Sequence, residues 1–182
     1  CKNIVFSSSA TVYGQPNWLP IDESHPVQPK NPYGQSKLFI EQMISDWQRA
    51  SSGRRAICLR YFNPIGAHSS GMIGELPLIT PKNVFPIISN VAAGRLDYVK
   101  IFGTDYETRD GTGERDYIHV MDLARAHTLA ISNNAKAYFE VVNIGTGIGV
   151  TVKELIQTFQ NVVARQIKFV GLKRRVGDVD SC

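Results

Sequence analysis

Two almost continuously apolar runs, NIVFSSS at 3–9 and RAICLRYFN at 55–63, bracket one long amphipathic segment in this chain. Strands that are apolar at nearly every position must be covered on both faces, which is the condition of a parallel sheet. Five prolines, at 16, 20, 26, 29 and 32, follow the first run. Each fixes φ and removes a backbone donor, so that stretch reads as a loop. From Tyr33 to about Ala50 the pattern turns helical, with Leu38, Ile40, Met43, Ile44 and Trp47 at three- and four-residue spacings. Ser51-Ser52-Gly53 ends it. Strand, helix, strand in this order predicts a parallel α/β sheet.

After Asn63-Pro64 the texture changes. GAHSSGMIGELPLITPKN, 66–83, reads as a long loop, VFPIISNVAAG as a helix, VKIFG as a short strand and DYETRDGTGERD as another loop. Helix VMDLARAHTLAIS, strand AYFEVVNIG, helix TVKELIQTFQNVVA and strand QIKFVG complete the pattern. No apolar run approaches the roughly 18–20 residues that span a bilayer, so no membrane partner is expected. The start, CKNIVFSSS, lacks both an initiator methionine and the sections of a signal peptide, and is expected to be an excerpt or a processed end.

The 182 residues carry a net charge of +4, and apart from Lys173-Arg174-Arg175 the basic residues are scattered among acids. A nucleic-acid binder gathers its charge on one face, so local anion sites are expected instead. Three cysteines, Cys1, Cys58 and Cys182, make no disulfide framework and point to a reducing, cytoplasmic setting. Cys58 reads as a buried thiol. His25, His68, His119 and His127 show no metal-ligand spacing; no metal is assigned, and His119 and His127 read as packing or capping residues.

Tyr33 and Lys37, in NPYGQSK, stand one helical turn apart. Alone, such a spacing arises by chance on many helices. Its chemistry is nevertheless specific, since a tyrosine is a poor base at neutral pH and a neighbouring ammonium favours its phenolate. Ser7-Ser8-Ser9 ends the first strand, and open α/β sheets bind ligands at the carboxyl ends of their strands. A serine hydroxyl there can bond a substrate hydroxyl and relay its proton. GTGIG, 145–149, imitates a dinucleotide fingerprint but lacks the third glycine, at Val150, and reads as a tight connection only.

SSSATVYG, NPYGQSK, LRYFNPIGAH and GERDYIHVMDLARAH together resemble the extended short-chain dehydrogenase/reductases, and within them the UDP-glucose 4-epimerase family, from Lys2 to about Asp178. The resemblance implies a Rossmann-like parallel sheet, carboxyl-proximal part only, with a smaller mixed α/β substrate domain. It places the latter part of an NAD-binding domain at 1–66 and a mainly UDP-sugar-binding domain at 67–182, incomplete at its end. Segments near 116–145 would pack back on the first. It implies NAD as cofactor and interconversion of UDP-glucose and UDP-galactose by C4 oxidation, rotation of the keto-sugar and re-reduction.

Residue by residue, the resemblance makes Tyr33 the base, Lys37 its activator and a nicotinamide-ribose contact, and Ser9 the sugar-contacting hydroxyl. Phe62 would lie against the nicotinamide and Asn63 would hold the nucleotide sugar. Asn83 and Val84 fall near the diphosphate, and Lys100, Ile101 and Phe102 along the uracil slot. Arg115 and Arg175 would contact the diphosphate and Asp178 the nucleotide ribose. Guanidinium forks suit a diphosphate, and a carboxylate accepts from ribose hydroxyls.

Two rivals remain. A 4,6-dehydratase-like relative would need an acidic pair after the serine, where this chain has Ala10 and Thr11. The other rival is an inactive UDP-binding fragment. The family's glycine-rich first turn and its carboxyl end are unmatched, so the chain alone is expected to bind NAD negligibly and to be inactive. A homodimer stays open for a full-length protein.

Overall fold

The computed structural model describes residues 1–75, 77, 81, 83–132 and 138–182. Parts of the 66–83 loop, and Ala137 at the head of AYFEVVNIG, lie outside the described residues. The chain divides into two compact units, residues 1–66, 116–148 and 182 in the first and 67–115 and 149–181 in the second.

In the first unit, β1 (Asn3–Ser9), β2 (Arg55–Tyr61) and β6 (Phe139–Ile144) form a sheet in the order β1-β2-β6. Both pairings are parallel, with Asn3 opposite Arg55, Ser9 opposite Tyr61, and Tyr61 opposite Ile144. The central strand β2 is buried from Arg55 to Arg60. Among the described residues β1 pairs on one side only, and it is half covered until Ser8 and Ser9, so an apolar run did not mean full burial there. The second run also ends sooner than its sequence suggests: Phe62 breaks it, and β3 (Asn63–Ile65) pairs in parallel with β5 (Glu114–His119), Asn63 opposite Tyr117.

The alternation along β2 sets the layers. Ala56 and Cys58 face Ile44 of α1 (Pro32–Arg49), with Ile4, Phe6, Trp47, Phe139 and Val141 closing that core. Ile57 and Leu59 point the other way, against Ala130 of α3 (Val120–Ser132), with Val5, Val142 and Ile144 around them. A helix on each face is what the strand–helix–strand pattern requires. Helix α1 starts at Pro32, the last proline of the loop, because the first helical position needs no donor; the Asn31 side chain caps it by accepting from Gly34 N at 2.8 Å.

The second unit contains α2 (Val84–Ala92), β4 (Val99–Phe102), β7 (Gly149–Thr151), α4 (Val152–Val163) and β8 (Phe169–Leu172). β4 and β8 pair in parallel from Val99–Phe169 to Phe102–Leu172. Pro86 is accommodated in the first turn of α2, where backbone donors have no helical partner. Helix α4 opens with a capping box between Thr151 and Glu154. Phe85 of α2 meets Phe159 of α4 edge to face at 4.9 Å.

Candidate functional site

Everything at the carboxyl end of β1 follows from how closely the start of α1 approaches it. A 3-10 turn, Ala10–Val12, leaves the strand, capped by Ser9, whose hydroxyl accepts from Thr11 N at 3.2 Å. Gly34 lies directly on that turn. A Cβ there would stand 2.7 Å from the Thr11 carbonyl oxygen and 2.9 Å from Pro29 Cβ, so glycine is what lets the helix seat. Tyr33 is left 55% exposed at the rim. One turn later Lys37 reaches back, and its Nζ donates to the Ser7 carbonyl at 2.8 Å. The ammonium then stands 5.5 Å from the centre of the Tyr33 ring and 5.1 Å from that of Phe6. Tyr33 and Lys37 are therefore a fixed pair, with the cation tied to the strand rather than free in solvent. Ser9, the third expected member, bonds Thr11 instead, Oγ to Oγ1 at 2.8 Å; no hydrogen bond joins it to Tyr33 among the described residues.

Beneath the pair lies a buried polar chain that the sequence reading missed. Tyr33, Lys37 and Glu41 are successive turns of one helix face, and Glu41 is only 4% exposed. Its carboxylate accepts from the Ser8 hydroxyl and from Arg60, Nε at 3.0 Å and Nη2 at 2.6 Å. The Arg60 guanidinium stacks 4.8 Å over the Tyr13 ring, and the Tyr13 hydroxyl donates to Asn143 Oδ1 at 2.7 Å. Burial raises the Tyr13 pKa, against the pull of the Arg60 and Asn143 contacts. Nearby, burial and then the Glu41 charge push the Cys58 thiol up to about 12, an inert thiol. One signal in the sequence could have shown this chain: an arginine inside an apolar strand needs a buried counter-charge.

Of the remaining expected residues in this unit, Phe62 is buried in a cluster with Ala10, Val12, Tyr13 and Ile21. Asn63 is half-buried at the head of β3. His119 caps α3, accepting from Met121 N at 3.2 Å, as expected of it. His127 instead meets Tyr61 and Ser7. The GTGIG turn is already occupied by a side chain of its own unit. Buried Asp116 accepts from Thr146 N, from the Thr146 hydroxyl and from Gly147 N, each at 2.7 Å to its closer oxygen. Those backbone donors hold a resident carboxylate and have none left for a phosphate.

In the second unit, Arg175 stacks 4.5 Å over Phe102, and its Nε donates to Asp178 at 3.1 Å, so three of the expected residues stand together. Ile101 is buried while its neighbour Lys100 is exposed, as alternation along β4 demands. Arg115 donates to the carbonyls of Glu114 and Asp180 at 2.7 and 3.3 Å. Asn83 is the N-cap residue of α2 with its side chain making no cap bond, and Val84 follows it. Arg174, at the middle of the basic cluster, pairs with Asp105 at 2.9 Å and lies 4.1 Å over Tyr106. The basic cluster is thus largely matched by local acids. Among the described residues no group of three or more His, Cys, Asp or Glu could hold a metal ion, and no helix is long and apolar enough to cross a membrane.

Residues 1–145 match the NAD dependent epimerase/dehydratase family. The chain is 50% identical over 182 residues to UDP-glucose 4-epimerase 2 of Arabidopsis thaliana, covering 99% of this chain and 52% of that protein. It is 49% identical over 183 residues to UDP-glucose 4-epimerase of Homo sapiens, covering 100% and 53%. Among solved structures, UDP-glucose 4-epimerase from Bifidobacterium longum in complex with NAD+ and UDP superposes with a TM-score of 0.96 at 47% identity, over 100% of this chain and 54% of that one. The chain therefore spans about half the length of the curated relatives it matches. With a fixed tyrosine–lysine pair at the carboxyl edge of a parallel sheet and identity near one half along its whole length, this chain belongs to the NAD dependent epimerase/dehydratase family.

Proposed function

We propose that the complete protein interconverts UDP-glucose and UDP-galactose at sugar C4 with NAD as cofactor. The observation that carries this reading is Lys37 Nζ, anchored on the Ser7 carbonyl one turn from an exposed Tyr33. The donor set fits the nicotinamide end of the cofactor: an exposed phenol and a fixed ammonium stand at the carboxyl ends of parallel strands, where such sheets bind nucleotides. GTGIG does not fit its pyrophosphate, because Asp116 holds the donors. When bound, NAD would supply the acceptor and donor of the C4 hydride, with Tyr33 and Lys37 holding its nicotinamide end.

The chain's own residues handle the proton. Tyr33 accepts it from the 4-hydroxyl, and the Lys37 charge opposes the negative charge that develops on the phenolate oxygen. Ser9 offers its hydroxyl to the hexose. We assign the first unit to this chemistry and the second to nucleotide recognition, with Arg115 and Arg175 for the diphosphate and Asp178 for the ribose. Asn63, Asn83, Val84 and Lys100–Phe102 are further nucleotide-sugar contacts, and Phe62 borders the nicotinamide. Holding the substrate by its UDP leaves the hexose free to turn.

Dehydration is disfavoured, because Ala10 carries only a methyl and Thr11 only a hydroxyl, itself bonded to Ser9, so neither supplies a carboxylic acid. We place the protein in the cytoplasm, which fits three cysteines in no disulfide, and expect a homodimer, for which Phe39 and Met43 of α1 offer exposed apolar surface.

Tyr33→Phe tests the reading in protein made from the complete coding sequence. Turnover should fall about 100- to 10,000-fold, while UDP affinity by titration calorimetry stays unchanged. A loss below about tenfold, well short of the roughly hundredfold minimum for a positioned acid–base group, would remove Tyr33 from this role.

A further inference from the structure

Ser7 is held from two directions, and only one of them belongs to the pair described above. Its carbonyl takes Lys37, while its hydroxyl meets Tyr61 of β2 and His127 of α3. His127 Nδ1 lies 2.9 Å from the Leu123 carbonyl oxygen, which can only accept, so Nδ1 carries a hydrogen and, in the neutral ring, Nε2 is the acceptor. The Tyr61 hydroxyl rests against Nε2 and donates to Ser7 Oγ at 2.6 Å, with Ser7 Oγ itself 3.5 Å from Nε2. Tyr61 gives its one hydrogen to Ser7 Oγ, so Ser7 is the hydroxyl that can donate to Nε2, and the Tyr61 oxygen only rests against the ring. The Tyr61 and His127 rings meet edge to face at 5.4 Å.

Tyr61 lies within electrostatic reach of Tyr33, so two phenols stand near the reacting end and only one is beside the lysine. The groups facing Tyr61 are His127 from α3, Ser7 from β1 and Tyr33 from α1, while Arg60 and Glu41 lie on the α1 face of the sheet, to which Tyr61 does not point. Burial, and the charge of Tyr33, both oppose ionisation of Tyr61.

We propose that His127 is a positioning residue for the Tyr33–Lys37 chemistry: its Nε2 ends the Tyr61–Ser7 hydrogen-bond chain and so steadies Ser7, whose carbonyl anchors Lys37. The kinetic part rests on the epimerase reading above; the tautomer does not.

Glutamine places an oxygen near the position of Nε2, whereas leucine fills similar space with no acceptor. In protein from the complete coding sequence, His127→Leu should lower kcat on the order of ten- to a hundredfold, the scale of small misplacements near a reacting centre, with KM for UDP-galactose unchanged. His127→Gln should restore most of it. Tyr61→Phe should match His127→Leu, and the double variant should lose no more than either alone, because both act through one contact. Equal losses in the leucine and glutamine variants, multiplied losses in the double variant, or unchanged kcat in His127→Leu would each overturn the proposal.

Long-range 1H–15N spectra of the unmodified protein give a readout free of folding defects and of the substrate assignment. The His127 ring should be the Nδ1–H tautomer, and an Nε2–H tautomer or a doubly protonated ring at neutral pH would overturn the proposal. Absence of epimerase activity in unmodified protein would instead defeat the functional reading and leave the tautomer result to stand or fall alone.

Discussion

Replacing Glu41 by alanine should be among the most damaging single changes available in the first unit. The carboxylate is 4% exposed, and it is the charge partner of a guanidinium that is itself 6% exposed. Removing it leaves Arg60 charged between β2 and α1 against the Tyr13 face, and takes away the acceptor of the Ser8 hydroxyl. Breaking a buried pair from one side costs about 3–5 kcal/mol, and a buried hydroxyl without its partner about 1–3 kcal/mol. The two overlap, so about 4 kcal/mol is expected for Glu41→Ala, a large part of the roughly 5–15 kcal/mol that holds a domain together. The double variant Glu41→Leu with Arg60→Met should recover most of that loss, because an apolar pair of similar volume carries no desolvation cost. Urea titration followed by the fluorescence of Trp47, which packs in the same core, reads both. A cost for Glu41→Ala below about 1 kcal/mol, the scale of a solvated surface pair, would refute the reasoning. So would a double variant as unstable as the sum of its parts.

Gly34→Ala should cost about 1–3 kcal/mol, as overpacking does, since its Cβ would fall 2.7 Å from the Thr11 carbonyl oxygen; a neutral urea midpoint would show that α1 can shift freely. At acid pH the second unit should weaken through Glu154, whose pKa is held down to about 2 from an ordinary 4.5, chiefly by the Arg109 hydrogen bond. A depressed carboxylate stabilises fully above its unfolded value, so this contribution is complete above about pH 4.5 and lost as pH falls toward 2. Arg109→Met should flatten the decline of the urea midpoint across that window, and an unaltered slope would count against the pair.

What could be read from the sequence was what is local in it. NIVFSSS became β1 and VMDLARAHTLAIS became α3 residue for residue, because a strand or a helix writes its own period into consecutive positions. Tyr33 and Lys37 were legible for the same reason, being one turn apart. Glu41 and Arg60 were not: 19 residues separate them, and a glutamate on a helix carries no mark of whether an arginine waits beneath it. Tyr61 and His127, 66 residues apart, are joined only by the sheet packing against α3. Phe62 broke a run that looked continuous because β3 turns away to pair with β5, a choice made by a partner more than 50 positions on. GTGIG was rightly set aside on spacing, yet only the fold shows that Asp116 fills its donors.

The central claim is that Tyr33 and Lys37 serve an oxidation at sugar C4 in which the hydrogen removed is the hydrogen returned. Proton NMR of UDP-galactose incubated in D2O with protein from the complete coding sequence tests it directly. The account predicts conversion to UDP-glucose with protium retained at C4 and no deuterium on any ring carbon. Deuterium at C4 or at a neighbouring carbon, or a product that has lost water, would contradict it.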